Sequence, residues 1–174
     1  MKKLSAKKII FRYALLILVC VLIFWFSSNS GEDSGGQSGR IVDFICGIFF
    51  PDMDMLSAER QLAIRDILTV AVRKGAHLCV YTLLGAVSFA AFFPLRKKGL
   101  RYIMSVGFAF LYACTDELHQ EFVPDRTGKI SDVLIDTFGA AAGAFIILCV
   151  IIVIEGLKRD NGSAEGRSGD SEKM

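Results

Sequence analysis

Four long apolar stretches dominate this 174-residue sequence and limit the folds that it can adopt. A bilayer core about 30 Å thick is crossed by roughly 20 residues of apolar helix, and four windows approach that length. Because hydrocarbon offers no partner to backbone N–H and C=O groups, each window is predicted to be helical. The expected fold is all-α, a four-helix membrane bundle with spans near residues 9–28, 76–95, 100–118 and 133–154.

The first window is interpreted as a membrane anchor, with a cleaved signal peptide as the alternative. Lysines at positions 2, 3, 7 and 8 precede it, as they would in a signal peptide. The apolar run is long for a signal peptide, however, and "SSNS" after it offers no small-residue cleavage pattern. The five cysteines include no C-x-x-C pair, so neither a disulfide framework nor a thiolate metal site is indicated.

Positively charged residues indicate which segments stay on the cytoplasmic side of the membrane. Basic clusters occur before the first window, between the second and third, and after the fourth, and a four-span topology places all three on one side. We therefore expect a multi-pass protein of the plasma membrane with both termini cytoplasmic and with residues 29–75 and 119–132 outside. The outer segments also carry basic residues, but a segment as long as the first can be translocated whatever its charge.

Residues 1–158 are predicted to form one membrane domain, and the polar, low-complexity residues 159–174 a disordered cytoplasmic tail. The long outer segment opens with the Gly/Ser-rich "SSNSGEDSGGQSG", which indicates irregular backbone. The "IVDFICGIFFP" that follows is too short to cross a bilayer, so it is expected in the membrane interface or as a re-entrant cap. Helical spacing of apolar residues from Ser57 to Arg73 predicts an outer amphipathic helix that runs directly into the second span.

Ionisable side chains gather at the outer ends of the last three windows and in the loop between the third and fourth. At about 100° per residue, most of them fall on one face of their helix, whereas Glu117 points about 100° away from Asp116. Three helices thus bring polar groups to the same depth, which predicts an outward-facing polar pocket. Its predicted members are Lys74, His77, Tyr81, Asp116, Glu117, His119, Gln120, Arg126, Asp132 and Asp136.

Two interpretations of this pocket remain open. A charge within a spanning helix costs about 2.5 to 3.5 kcal/mol and needs a partner or water, so the set could be an ion-pair network that only fixes the helices. Alternatively, it is a functional site, because His77 titrates near neutrality and paired carboxylates in a partly dry site separate their pKa values. His77, Asp116 and Glu117 are then the catalytic candidates. The ligand-binding candidates are Lys74, Tyr81, Gln120, Arg126, Asp132 and Asp136.

Other kinds of site have weaker support in the sequence. His77 and the "DELH" motif at 116–119 could supply metal ligands, but D-E-x-H is not a strong metal signature. No metal and no cofactor are therefore predicted, and nothing resembles a nucleic-acid site. Gly139 and Gly143 have the G-x-x-x-G spacing that lets helices approach closely, either within the chain or in a homodimer.

Three motifs together resemble a known family. They are "FSSNS" after the first window, "RKGAHLCVYTLLG" in the second, and "TDELHQEFVPDRTGKISDVLIDTFGAAAG" across the third and fourth. With the specific patterns D-E-x-x-Q, P-x-R and D-x-x-x-D-x-x-G, they make the chain similar to the VanZ-like family of small bacterial membrane proteins over most of residues 26–143. The family's characteristic positions correspond to Arg73, Lys74, His77, Tyr81, Asp116, Glu117, Gln120, Arg126, Asp132, Asp136 and Gly139.

The resemblance implies a role in glycopeptide resistance, particularly to teicoplanin, at the cell envelope, but it implies no reaction. Two positions depart from the family pattern. Asp125 stands where a glycine commonly precedes the arginine, and Val80 stands where an acidic residue often precedes the tyrosine. A carboxylate at position 80, if the family's chemistry uses one, is therefore missing from this chain.

Three hypotheses follow for the function. In the first, a polytopic envelope protein in the lipid bilayer binds a lipid-linked cell-wall precursor or a glycopeptide in the outward pocket and acts on it by acid–base chemistry. In the second, the protein is a non-catalytic membrane binding or scaffold module that alters how antibiotic or precursor reaches the wall. In the third, it is a small transporter, but no polar path continues into the inner half of the predicted bundle.

Overall fold

The computed structural model describes residues 5–28, 31–124 and 126–171. Within these ranges the chain is all-α, as the sequence predicts, and contains no strand. A short 3-10 helix, Met53–Met55, connects the second and third α-helices. The helices of the described chain are α1 (Ala6–Ser27), α2 (Gly31–Phe49), α3 (Ala58–Ala91), α4 (Lys98–Gln120) and α5 (Ile130–Ser171).

Three helices in the described part of the chain, α1, α3 and α5, are long and apolar enough to cross a membrane. The third predicted span, 100–118, is helical as α4 but does not meet this standard, so the count of four spans is not confirmed. The reason is its polar content, because Arg101, Asp116 and Glu117 lower its mean hydropathy. All three residues are buried, so α4 holds these charges inside the protein.

The helices alternate in direction around α3. Gly139 and Gly143 of α5 lie against Leu78 and Thr82 of α3, and because both numbers rise together the two helices run parallel. The α1 helix is antiparallel to α3, since the guanidinium of Arg12, near its start, donates to the carbonyl of Ala90, near the end of α3. The connection between α3 and α5 is therefore α4, which runs back along both.

Small residues line part of the bundle interior, whereas the outer surface of the bundle carries many large apolar ones. Ala109 and Ala113 of α4 and Ala140 and Ala144 of α5 are fully buried, which lets the helix backbones approach closely. Many Phe, Ile and Leu side chains of α1 and α5 are exposed instead. This inversion of the pattern in soluble proteins suits a surrounding of lipid.

The glycines of α5 serve packing within the chain. A Cβ atom built on Gly139 would lie 2.7 Å from the carbonyl oxygen of Leu78, and one on Gly143 would overlap the Thr82 carbonyl. Both glycines therefore pack against α3 of the same chain. A homodimer through these two positions stays a prediction.

The described part of the segment between α1 and α3 is more ordered than the sequence predicts. The described part of its Gly/Ser-rich stretch is helical and belongs to α2, where irregular backbone was expected. The apolar residues Val42, Cys46 and Met53 pack on the N-terminal half of α3, which anchors α2. The predicted amphipathic helix is confirmed, and it continues without a break into the second span as the 34-residue α3.

The C-terminal tail also differs from its prediction. Disorder is expected from residue 159, yet the backbone of α5 remains helical to Ser171. Helical hydrogen bonds are local, from residue i to i−4, so a helix can extend past the last residue that packs on a neighbour. Residues 172–174 of the predicted tail lie outside the described residues.

Candidate functional site

Asp116 lies at the centre of the polar cluster, one turn before the end of α4. Its side chain is 4% exposed. The Ser27 hydroxyl at the end of α1 donates a hydrogen bond of 2.9 Å to Oδ2, and the Gln120 amide donates a longer one of 3.4 Å to the same oxygen. The ends of α1 and α4 are thereby joined at a buried carboxylate.

Asp136 of α5 faces His77 of α3, with Oδ2 3.5 Å from the imidazole Nδ1. Asp136 is fully buried, and within the described part of the chain neither of its carboxylate oxygens accepts a hydrogen bond. The Tyr81 hydroxyl, one helical turn from His77, is also buried without a hydrogen-bond partner among the described residues. It interacts electrostatically with both Asp116 and Asp136.

Lys74 and Asp132 form an ion pair at the outer edge of the cluster. The Nζ–Oδ1 distance is 2.9 Å, and both side chains are partly exposed. Asp132 lies one turn before Asp136 on α5, and Lys74 lies one turn before His77 on α3. Each helix therefore presents its two residues on one face, as their spacing in the sequence predicts. Because α3 and α5 run parallel, Lys74 meets Asp132 and, one turn later, His77 meets Asp136.

Glu117 and His119, which the sequence places in the same pocket, point elsewhere. Glu117 is buried, but its Oε2 accepts a 2.7 Å hydrogen bond from the backbone N–H of Lys129, in the loop that leads into α5. His119 stacks on the Phe24 ring, with 4.6 Å between ring centroids, and forms a hydrogen bond with Ser28. Glu117 thus holds the loop and His119 holds the end of α1.

Two cavities open beside the cluster. One, of about 230 Å³, lies among α1, α2 and α3 and has mainly apolar walls that include Ile23, Ile41 and Val80. The other, of about 250 Å³, is more polar and lies against α5 and the loop before it. Both cavities share three lining residues, Arg73, His77 and Arg126.

Arg126 lies in the loop between α4 and α5 and is 8% exposed. Burial lowers the pKa of its guanidinium, as does the neighbouring positive charge of Arg73, while Asp116 and Glu117 act in the opposite direction. Two guanidinium groups are thus held near each other at the junction of the cavities. Guanidinium groups bind carboxylate and phosphate with two parallel hydrogen bonds, so this junction suits an anion.

Sequence reasoning did not identify two residues that the structure makes important. Ser27 was available from the "FSSNS" motif, but only tertiary contact shows that it meets Asp116. Arg101 is buried at the opposite end of the bundle, where its guanidinium donates to the Phe89 carbonyl and lies 4.1 Å from the centre of the Phe89 ring. Arg101 lies in the first turn of α4, beside a basic turn, and nothing in the sequence there indicates such a contact.

The cluster can act chemically in two ways. A histidine beside a buried carboxylate can exchange a proton with a ligand in either cavity. His77, Asp116 and Asp136 also offer three ligand atoms that all lie within 4.8 Å of one another. This group differs from the ligand set considered from the sequence, because Asp136 takes the place of Glu117 and His119.

Comparison with known proteins assigns the family. No curated protein and no solved structure matches the chain. The model of the VanZ/LLP1 family matches residues 12–153, which is well over half of the 174 residues and includes every member of the cluster. The resemblance expected from the three motifs is thus confirmed, and the chain belongs to the VanZ/LLP1 family.

Proposed function

We propose that this protein binds an anionic, lipid-linked ligand in the two connected cavities, with the anionic group at Arg73 and Arg126 and the lipid chain in the apolar cavity. The observation that carries the proposal is the shared wall of the cavities. Arg73 and Arg126 line both cavities. A ligand with one charged end and one apolar end could therefore contact the mainly apolar cavity and the more polar cavity at the same time.

The charges at the junction support an anion. Arg73 and Arg126 repel each other, and burial removes part of the water that would screen them. A phosphate or carboxylate between them relieves this repulsion and gains charge-assisted hydrogen bonds. Lys74 and Lys129, which line the polar cavity, extend the positive surface toward solvent.

A four-span topology is supported by the parallel packing of α3 and α5. If both cross the bilayer in the same direction, the chain between them must cross back, and α4 is the only helix among the described residues there. At 1.5 Å per residue its 23 residues extend about 34 Å, enough for a hydrocarbon core of about 30 Å. With basic residues cytoplasmic, both termini are then inside and the cavities open outward.

A role at the bacterial cell envelope, in resistance to glycopeptides such as teicoplanin, is the implication of the family resemblance. An outward cavity for a lipid-linked anion is compatible with it, because cell-wall precursors are carried on lipid at that surface. His77 with Asp116 would supply acid–base chemistry if the ligand is converted. We remove Glu117 from this role because its carboxylate holds the loop before α5.

Binding can be tested with protein in nanodiscs and a polyprenyl phosphate, compared with the polyprenol of the same chain length. Native mass spectrometry measures the fraction of protein that retains each lipid. We expect the phosphate to bind at least tenfold more tightly, and Arg73→Gln or Arg126→Gln to abolish that difference. Val80→Trp, which fills the apolar cavity, should weaken both lipids.

The matched control is Arg65→Gln, because Arg65 lies on α3 but is exposed and pairs with Asp43 away from the cavities. It should bind both lipids like the wild type. Equal binding of phosphate and alcohol by the wild type would refute the anionic site.

Catalysis is separated from binding by His77→Gln and Asp116→Asn. If the protein is an enzyme, both variants should still bind the lipid in the nanodisc assay but no longer convert it. If it is a binding module, neither the wild type nor the variants should convert the lipid. In cells, teicoplanin susceptibility of a deletion strain complemented with each variant connects the cavities to resistance. Membrane levels of every variant are compared by blot, so that loss of protein is not mistaken for loss of function.

A further inference from the structure

We infer that His77, Asp116 and Asp136 hold a divalent metal ion at the floor of the polar cavity. One ligand atom from each residue lies within 4.8 Å of the other two. The three residues come from α3, α4 and α5, so a cation at this point would join the three helices.

Asp136 supplies an observation that is independent of the clustering. It is 0% exposed, and neither carboxylate oxygen accepts a hydrogen bond within the described residues. A buried carboxylate without hydrogen bonds is costly, since the effective penalty for burying an ion is several kcal/mol. A bound cation removes this penalty, because it provides the positive charge and the coordination that the carboxylate lacks.

The separation between His77 and Asp136 fits shared coordination better than a direct ion pair. A charge-assisted N–H···O bond is about 2.7 to 2.9 Å long, whereas Nδ1 and Oδ2 are 3.5 Å apart. Two ligands bound to one tetrahedral ion at about 2.0 to 2.1 Å are roughly 3.3 to 3.4 Å from each other. The observed distance is close to that value.

Asp116 is oriented as a ligating carboxylate usually is. Ligands of protein-bound metals are themselves hydrogen-bonded to neighbouring groups that fix their direction. Ser27 and Gln120 both donate to Oδ2 of Asp116 and so restrict its rotation. The hydrogen bonds that would orient a metal ligand thus extend to Ser27 at the end of α1.

The donor set limits which metal fits. One neutral imidazole and two carboxylates carry a net charge of −2, which a divalent cation balances. Nitrogen and oxygen donors together suit Zn²⁺, Mn²⁺ or Fe²⁺, whereas Ca²⁺ and Mg²⁺ prefer oxygen ligands alone. His77 and Asp136 line the polar cavity, which provides the path by which an ion would enter.

This inference concerns the same cavities as the proposed function but does not depend on the lipid. With a metal bound, His77 and Asp116 are ligands rather than direct proton carriers. Metal binding is measured on the protein without added lipid, so failure of the metal site and failure of the lipid site give different results.

The test uses full-length protein in detergent, stripped with a chelator and then titrated separately with Zn²⁺, Mn²⁺ and Fe²⁺. Elemental analysis after gel filtration measures the bound metal, and calorimetry measures the affinity. We expect close to one ion per chain for at least one of these metals. His77→Gln and Asp136→Asn should each weaken binding at least tenfold.

Two variants control for adventitious binding. His119→Gln removes the other histidine, and Asp43→Asn removes an exposed carboxylate of α2 that pairs with Arg65. Both should bind the metal like the wild type. Absence of stoichiometric binding by the wild type, or equal losses in His119→Gln and His77→Gln, would overturn the inference.

A spectroscopic measurement keeps the inference testable if the ligand variants do not fold. Pulsed electron paramagnetic resonance of Mn²⁺ bound to the wild type should show coupling to the nitrogen of one imidazole. The same signal should persist in His119→Gln, which assigns it to His77. Bound Mn²⁺ without nitrogen coupling would contradict coordination by His77.

Discussion

The hydroxyl of Ser27 donates a 2.9 Å hydrogen bond to the buried carboxylate of Asp116, which lies 89 residues away in the sequence. Ser27 is the last residue of α1 and is itself 1% exposed. The contact links the first helix to the site that α3, α4 and α5 form, and it explains why a serine motif at the end of the first span belongs with the charged motifs.

Removal of this hydroxyl should destabilise the protein. Ser27→Ala leaves a buried carboxylate with one fewer donor, which typically costs about 1 to 3 kcal/mol. We expect a lower melting temperature of the protein in detergent. Thr115→Ala is the control, since Thr115 is exposed and its hydroxyl donates to the Tyr112 carbonyl of its own helix. Its effect should stay within about 0.5 kcal/mol, and equal effects of both variants would argue against a special role of Ser27.

The ion pair between Lys74 and Asp132 should couple α3 to α5 only modestly. In a double-mutant cycle with Lys74→Met and Asp132→Asn, we expect a coupling free energy of about 0.5 to 1 kcal/mol, because both side chains are partly exposed to solvent. Unfolding in detergent monitored by circular dichroism provides the four stabilities.

A matched cycle on the more exposed pair Arg65 and Asp43 should give a coupling near zero. A larger coupling for that pair than for Lys74 and Asp132 would contradict the placement of the latter at the edge of the buried cluster.

Substitution of Gly143 by Ala should separate α3 from α5. The new methyl group would overlap the Thr82 carbonyl, and overpacking of this kind costs about 1 to 3 kcal/mol. The expected result is a lower melting temperature and weaker metal binding, because His77 and Asp136 face each other across the same helix pair.

Gly107→Ala provides the control within α4, because a Cβ atom at Gly107 would meet nothing within 4 Å. Alanine is favoured over glycine in a helix by up to about 1 kcal/mol, so this variant should be unchanged or more stable. Destabilisation of Gly107→Ala equal to that of Gly143→Ala would show that helix propensity, rather than packing, is responsible.

The four-span topology can be tested by cysteine labelling. In a background without the five native cysteines, Thr127→Cys in the loop before α5 should react with a membrane-impermeant maleimide on intact cells. Lys97→Cys, in the turn between α3 and α4, should react only after lysis. Both side chains are exposed. Gly128 is a poor probe position because an added Cβ atom would lie 2.6 Å from the Glu117 carbonyl oxygen. The reverse labelling pattern would invert the orientation.

The sequence by itself determined the helices of the four apolar windows and most of the cluster. Long apolar windows specify helix because backbone groups in hydrocarbon have no other partner, and this holds whatever the neighbouring helices do. Helical periodicity is equally local, so it placed Lys74 and His77 on one face of α3 and Asp132 and Asp136 on one face of α5.

Only the tertiary structure decided which of these groups meet. Asp136 approaches His77 because α3 and α5 run parallel, and Glu117 leaves the site because the loop before α5 offers it the Lys129 N–H. The G-x-x-x-G spacing in α5 allows a helix contact within the chain or in a homodimer, and only the tertiary structure shows that these glycines pack against α3. The sequence places each side chain on its own helix, but distances between helices depend on packing of the whole bundle, which no local pattern records.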